Sequence, residues 1–247
     1  MIVKKQRLDQ VLFNRNLAET RTKAQAMIMA GQVFVDGTKI EKSGFNISNE
    51  AEIEIKKLGP DWVSRGATKL ITALDKNKIN VKDKICIDLG SSTGGFTDVL
   101  IQSGAEKVYA VDVGTNQLHE KLKKNIKVIS IEKTNARYLT KELVTDLIDI
   151  MVCDVSFISL KKVIEPNLHL LKNDSIIITL IKPQFESKKN ETKKGVVKDN
   201  SIHERICNEI IEWFKNKCGC IILSIIESPI RGPKGNIEFL LTVKYQK

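Results

Sequence analysis

Apolar positions Leu8, Val11 and Leu12 share one helical face. Thr20 is placed to cap a second helix, with Ala24, Met27 and Ile28 turned inward and Gly31 as its stop. The period then changes from helical to alternating. Val33-Phe34-Val35 runs into Asp36-Gly37, a strong hairpin signal, and continues to Ile40. A last alternating stretch is Ala51-Glu52-Ile53-Glu54-Ile55. These patterns predict a small helix–helix–strand unit over residues 1–60. A linker follows at about 56–64, where Gly59-Pro60 breaks regular structure. Trp62 reads either as a plug between domains or as an anchor of the second.

Beyond the linker the pattern is longer and regular. A helix is predicted over 68–74. Apolar runs at 84–89, 107–113, 126–131, 147–153, 175–181, 221–226 and 238–243 read as strands. Amphipathic segments at 96–103, 117–123, 160–171 and 201–217 read as helices. Alternation of this kind predicts a doubly wound α/β domain over 61–247, with ligands held at the C-terminal ends of the strands.

Charge adds to this picture. Forty basic residues face 30 acidic ones, a formal net charge of +10, which favours a polyanionic partner. The first 60 residues hold 10 basic and 7 acidic residues, so most of the excess belongs to the second domain. No apolar stretch approaches the roughly 18 residues of a membrane span, and the first ten residues do not resemble a signal peptide, so a cytoplasmic location and no stable membrane association are expected. Five Cys show no disulfide framework; Cys86 and Cys153 read as buried thiols, and no metal site is expected.

Three features carry candidate chemistry. The strand at 84–89 runs into Gly90-Ser91-Ser92-Thr93-Gly94-Gly95, a loop whose glycines let backbone approach a ligand closely. Asp88 shapes this loop from the strand end. The next strand ends at Asp112, about 20 residues on, the position of a carboxylate that binds a ribose diol; an acid that merely caps its own loop is the alternative. Asn135 follows the third strand and is placed for the adenine side of a nucleotide. The second feature is a set of charges at the ends of apolar strands: Asp154, Lys182 and Glu238, with Lys69 on the helix before the first strand. Buried charges need partners. The set is therefore either an ion-pair cluster that locks strand ends or a catalytic group. The third is the stretch 182–198, with six Lys and two Glu, read as a mobile loop that either guides RNA or is simply solvated.

The first unit resembles S4-like RNA-binding domains: Arg7-Leu8-Asp9, then Thr20-Arg21 and Ala24 on the second helix, then Ile28 through Gly37. That resemblance implies phosphate contacts from Lys5, Arg7, Arg21 and Lys23. Asp88-Leu89-Gly90 with Gly94-Gly95 resembles motif I of S-adenosylmethionine-dependent methyltransferases. Residues 62–247 resemble FtsJ-type RNA ribose 2′-O-methyltransferases, and the whole chain resembles the TlyA family, often labelled haemolysin A. The segments that carry this are SRGATKL, DLGSSTGGFTDVL, VDVGTNQL, EKTNARYL, CDVSFISL, LIKPQFE and GPKGNIEF, in order along the chain. The resemblance implies a Rossmann-like fold with a mostly parallel seven-stranded sheet. It implies S-adenosylmethionine bound at Asp88, Gly90, Ser91, Ser92, Thr93, Gly94, Gly95, Asp112 and Asn135. It also implies a catalytic Lys69, Asp154, Lys182 and Glu238, and ribosomal RNA in ribosomal subunits as substrate, methylated at a cytidine ribose. Arg65, Lys188 and Lys189 are added as RNA contacts near the site. Two other readings compete with this one: a non-catalytic RNA-binding or ribosome-assembly factor, and a haemolysin acting on membranes.

Overall fold

The computed structural model describes residues 5–56 and 62–246, and the chain divides into two compact units between residues 61 and 62. Residues 57–61, the middle of the expected linker, lie outside the described residues.

The first unit runs β1 (Lys5–Arg7), α1 (Leu8–Asn14), α2 (Arg21–Met29), β2 (Val33–Val35), β3 (Thr38–Lys39), β4 (Asn46–Ser48) and β5 (Ile53–Ile55). The Thr20 side chain accepts from Lys23 N at 3.1 Å and so caps α2. Leu8, Leu12, Ala24, Ile28, Val33 and Ile47 close its core. The Asp-Gly turn joins β2 to β3, and β5 pairs with the other edge of β2. The sequence pattern does not reveal β1 and β4. They pair with each other through only three residues each, and most of those residues are polar, so no apolar alternation marks them.

The second unit runs α3 (Ala67–Asn77), β6 (Ile85–Leu89), α4 (Gly95–Gln102), β7 (Lys107–Val111), α5 (Glu120–Lys123), β8 (Val128–Ile131), β9 (Ile148–Cys153), α6 (Lys161–Ile164), β10 (Leu171–Ile181), α7 (Pro183–Glu186), α8 (Asn200–Cys218), β11 (Cys220–Glu227) and β12 (Phe239–Tyr245). The expected seven-stranded sheet is present, in the order β11-β12-β10-β9-β6-β7-β8. The ladders among β10, β9, β6, β7 and β8 are parallel, and β12 is antiparallel to both neighbours. Apolar clusters cover both faces, one built on Ile87, Met151, Ile177 and Phe214 and the other on Leu70, Cys86, Leu100 and Ile178. This is why the central strands read as continuous apolar runs rather than alternating ones.

Two expected helices are shorter than their patterns. The segment 160–171 is α-helical only over Lys161–Ile164 and tightens into a 3-10 turn from Glu165. Pro166 lacks the N–H and its ring crowds the preceding turn. The helix expected over 117–123 is reduced to α5, which the His119 ring caps from Lys121 N. The lysine-rich segment is not structureless: it holds a 3-10 turn over Lys189–Glu191 and a bridge between Lys193 and Val196, and Arg205 on α8 grips Glu191 at 2.7 Å. Trp62 packs against the cluster around Leu70 and Phe96, and Val63 N donates to Asp98, so Trp62 anchors the second unit. All five cysteines are buried thiols, and burial pushes Cys153 up to about 12.

Candidate active site

The strand register places the candidate charges side by side. In the parallel ladders, Leu89 and Thr179 both pair with Cys153, so β6 and β9 end at one level and β10 runs two residues further, to Ile181. The next residues, Asp154 and Lys182, emerge together from that edge. Because β12 runs antiparallel, its start lies where β10 ends: Phe239 pairs with Ile181. Glu238 therefore reaches the same edge from the opposite chain direction. It precedes the strand rather than beginning it, as its sequence position suggested, and its carbonyl accepts from Ser228 N. Lys69 arrives from the first turn of α3, whose apolar side covers the sheet.

These four side chains form one connected chain of charges. Lys182 Nζ lies 2.6 Å from Asp154 Oδ1 and donates to Ser156 Oγ at 2.9 Å. Lys69 Nζ donates to Asp154 Oδ2 at 3.4 Å and to Glu238 Oε2 at 2.9 Å. Gln184 Nε2 donates to the other Glu238 oxygen at 3.2 Å. Lys69 is 7% exposed, Lys182 8% and Glu238 1%. The two ammonium groups and two carboxylates balance, which meets the requirement that buried charge be paired.

Two cavities open beside this cluster. One, about 200 Å³, is lined by Asp88, Gly90, Ser91, Ser92, Thr93 and Gly95 together with Asp154 and Lys182. The other, about 490 Å³, is lined by Gly90, Ser92, Asp112, Asn135, Val155 and Phe157 among others. They share Gly90, Ser92, Asp154 and Ser156. Gly90 has φ +83° and a Cβ there would press on the Asp154 carbonyl and Val155. Gly94, at φ +95°, does not line either cavity; it turns the chain into α4, and a Cβ would overlap Leu118 and Leu122. Asp112 accepts from Ser92 N at 2.8 Å and Gly114 N at 2.7 Å. It therefore caps the loop, and each oxygen keeps a second lone pair for a ligand hydroxyl. The Asn135 oxygen is committed to Arg137 N and Nε, so its NH₂ is what it can offer a ring nitrogen.

Asp88 is fully buried. Thr97 donates to its Oδ2 through both backbone N–H and hydroxyl, while Oδ1 has no partner. Burial, aided by the nearby Asp154 and Asp112 charges, pushes its carboxyl up to about 7. A carboxyl raised in this way keeps its proton when folded and gives it up when unfolded, so the contribution of Asp88 to the stability of the unliganded fold is greatest below the ordinary carboxylate range and is lost as pH rises to about 7. Asp88→Asn is expected to flatten the pH dependence of thermal unfolding between the ordinary carboxylate range and about 7, measured by calorimetry on the unliganded protein.

Some residues at the site are not evident from chemical type alone. Phe157 is 90% exposed and holds φ +64°, unusual for an aromatic residue. Its ring lies 5.0 Å from that of Phe185. Glu186 accepts from Ser159 Oγ at 2.8 Å and Leu160 N at 2.6 Å, tying this loop to α7. Both motif segments are visible in sequence, but an aromatic residue or a half-buried glutamate in a motif carries no unique chemistry until its neighbours are known.

The residues expected to touch RNA are more dispersed. In the first unit, Asp9 is fully buried and accepts from Arg7 at 2.9 and 3.0 Å, from Arg21 at 3.3 Å and from Gln25 at 2.7 Å. The Arg7 guanidinium holds the Asp9 carboxyl well below the usual carboxylate range. Arg7 and Arg21 are thus anchored at one end, with half of each side chain still exposed. Lys5 is exposed, and Lys23 pairs with Glu19 on the helix surface. In the second unit, Arg65 and Lys188 are exposed, whereas the side chain of Lys189 lies outside the described residues. Among the described residues no group of His, Cys, Asp and Glu is set to hold a metal ion, and no helix is long and apolar enough to cross a membrane.

Comparison with known proteins adds to this geometry. The profile of FtsJ-like methyltransferases matches residues 62–245, and that of the S4 domain matches residues 6–53. The chain is 43% identical to hemolysin A of Brachyspira hyodysenteriae over 95% of this chain and 98% of that protein. It is 37% identical to the 16S/23S rRNA (cytidine-2′-O)-methyltransferase TlyA of Mycobacterium tuberculosis, over 99% of this chain and 92% of that one. A solved structure of a hemolysin-named protein from Streptococcus thermophilus is 39% identical, covers 99% of this chain and 90% of its own, and superposes with a TM-score of 0.75.

Proposed function

The chain belongs to the FtsJ-like methyltransferase family and carries an S4 domain before it, and from that premise we propose that it methylates a ribose 2′-hydroxyl of ribosomal RNA, at a cytidine, in the cytoplasm. The observation that carries this reading is the Lys69–Asp154–Lys182–Glu238 cluster at the strand ends, beside two connected cavities. A cluster that served only to lock strand ends would not need to border both cavities.

The cavity residues fit S-adenosylmethionine. Asp88 Oδ1 is buried without a partner, and the ammonium of the methionine end would hold this carboxyl in its charged, accepting form. Asp112 offers its remaining lone pairs to ribose hydroxyls, and Asn135 offers its NH₂ to the adenine. When bound there, the cofactor supplies a methyl group already activated on a sulfonium, so no metal is required of the protein.

The remaining work falls to alignment and charge. A ribose hydroxyl is a weak nucleophile because its proton is held tightly at neutral pH. Lys182 stabilises the negative charge that develops on the 2′-oxygen. Its pair with Asp154 gives the proton a route: as the hydroxyl proton moves to Lys182 Nζ, an ammonium proton shifts to Asp154 Oδ1. Lys69, held by Glu238, keeps the second Asp154 oxygen in place. Phe157, exposed at the mouth of the crevice, offers a face on which the target base stacks. Stacking contributes about 1–3 kcal/mol per base. Phe157→Ala is accordingly expected to raise KM for RNA by about tenfold, with cofactor affinity unchanged by equilibrium dialysis.

Nucleoside mass spectrometry of ribosomal RNA from a strain lacking the gene tests the substrate. The expected result is loss of a 2′-O-methylcytidine that returns with the wild-type gene. A full complement of ribose methyls in that strain would refute the reading.

A further inference from the structure

A third cavity of about 300 Å³ adjoins the cluster, walled by Ser156, Phe157, Lys182, Gln184, Phe185 and Glu238 among others. Two aromatic rings, Lys182 from the reacting centre and two amides, Gln184 and Asn236, meet there; Asn236 accepts from Val197 N and donates to the Gly195 carbonyl, which leaves Gln184 as the amide of interest. The amide is held in one sense. Gln184 Nε2 donates to Glu238 Oε1, and a carboxylate can only accept, so the NH₂ must face Glu238. Its carbonyl oxygen is consequently fixed on the other side, where it is buried and has no hydrogen-bond partner. A buried acceptor without a donor is costly and calls for an explanation.

We infer that Gln184 is a specificity-determining residue: its carbonyl accepts a hydrogen bond from the exocyclic amino group of the target base, and so selects cytosine over uracil. This rests on the proposed methylation of a cytidine ribose and extends it from the sugar to the base. Cytosine presents N4–H₂, a donor, where uracil presents O4, an acceptor. An amide free to rotate would adapt to either. One pinned by Glu238 cannot, because turning it to meet uracil would set two acceptors against each other at Glu238. Lys69, which grips the other Glu238 oxygen at 2.9 Å, holds that carboxylate still. The same carboxylate therefore serves the reacting lysines on one side and the base-reading amide on the other.

The test compares ribosomal subunits carrying the mapped target cytidine with subunits carrying uridine at that position. Both are offered together to the full-length protein with labelled S-adenosylmethionine. Wild-type chain is expected to favour cytidine by about 10- to 100-fold in kcat/KM. Gln184→Met keeps the side-chain volume but has neither donor nor acceptor of comparable strength. It is expected to bring the ratio to within about threefold of unity, as is Gln184→Ala. The ratio is internal to each preparation, so partial misfolding of a variant does not alter it. Retention of the wild-type preference by both variants would overturn the assignment. A wild-type chain that methylates neither substrate would instead refute the proposed function on which it rests.

Discussion

Lys182→Ala lowers the rate of methyl transfer by about a thousandfold and leaves the fold and cofactor affinity nearly intact. The expected size follows from the role: removing one preorganised donor from a developing oxyanion costs about 10²–10³ in kcat, and Lys182 is also the entry point for the departing proton. The fold survives because the partner is not stranded. Asp154 keeps Lys69 as a partner at 3.4 Å, and a fifth of its side chain reaches solvent. Single-turnover transfer with saturating cofactor and ribosomal subunits reads the chemical step, and calorimetric titration reads cofactor binding. A variant that lost cofactor affinity instead would mean that Lys182 holds the cofactor rather than the reacting ribose oxygen.

Lys69→Met has the opposite balance, with a large loss of stability. Its main partner, Glu238, has no exposed side-chain surface. Without Lys69 that carboxylate stays buried with only the Gln184 amide. Breaking a buried pair from one side costs about 3–5 kcal/mol. For a unit of this size the thermal midpoint of the second unit falls by on the order of 10 °C. Replacing both partners, Lys69→Met with Glu238→Leu, is expected to recover most of that stability and none of the activity. Differential scanning calorimetry of the two single variants and the double variant gives the coupling directly. Additive losses would mean that the 2.9 Å pair is not a coupled unit.

Much of the second unit was legible in sequence because its signals are long and redundant. The strands β7, β9 and β10 are apolar runs closed by a charged residue, β6 carries Asp88 just before its end, and burial on both faces makes such runs hard to mistake for anything else. The Gly90–Gly95 loop and Asp112 were readable for the same reason: a tight strand-to-helix turn and an acid at the next strand end leave fixed spacings. Where the pattern failed, a local rule intervened. Pro166 shortened the 160–171 helix, and two three-residue strands of mostly polar character left no alternation to read. The sequence marked Glu238 as a charge near a strand start but not its contact with Lys69, since that depends on β12 entering the sheet antiparallel. Phe157, Glu186 and Gln184 depend on contacts across the crevice. A lone Gln or Phe has many structural uses, and only the pinned amide at Glu238 and a 90% exposed ring give these two a direction.

The central claim is that this cluster methylates a ribose oxygen of ribosomal RNA with Lys182 at the reacting atom. The direct measurement is transfer of labelled methyl from S-adenosylmethionine to purified ribosomal subunits by wild-type and Lys182→Ala chains, followed by nuclease digestion and identification of the labelled nucleoside. Label in 2′-O-methylcytidine with the wild-type chain, reduced about a thousandfold by Lys182→Ala, is the predicted result. Label on a base, or equal transfer by the two chains, would contradict it.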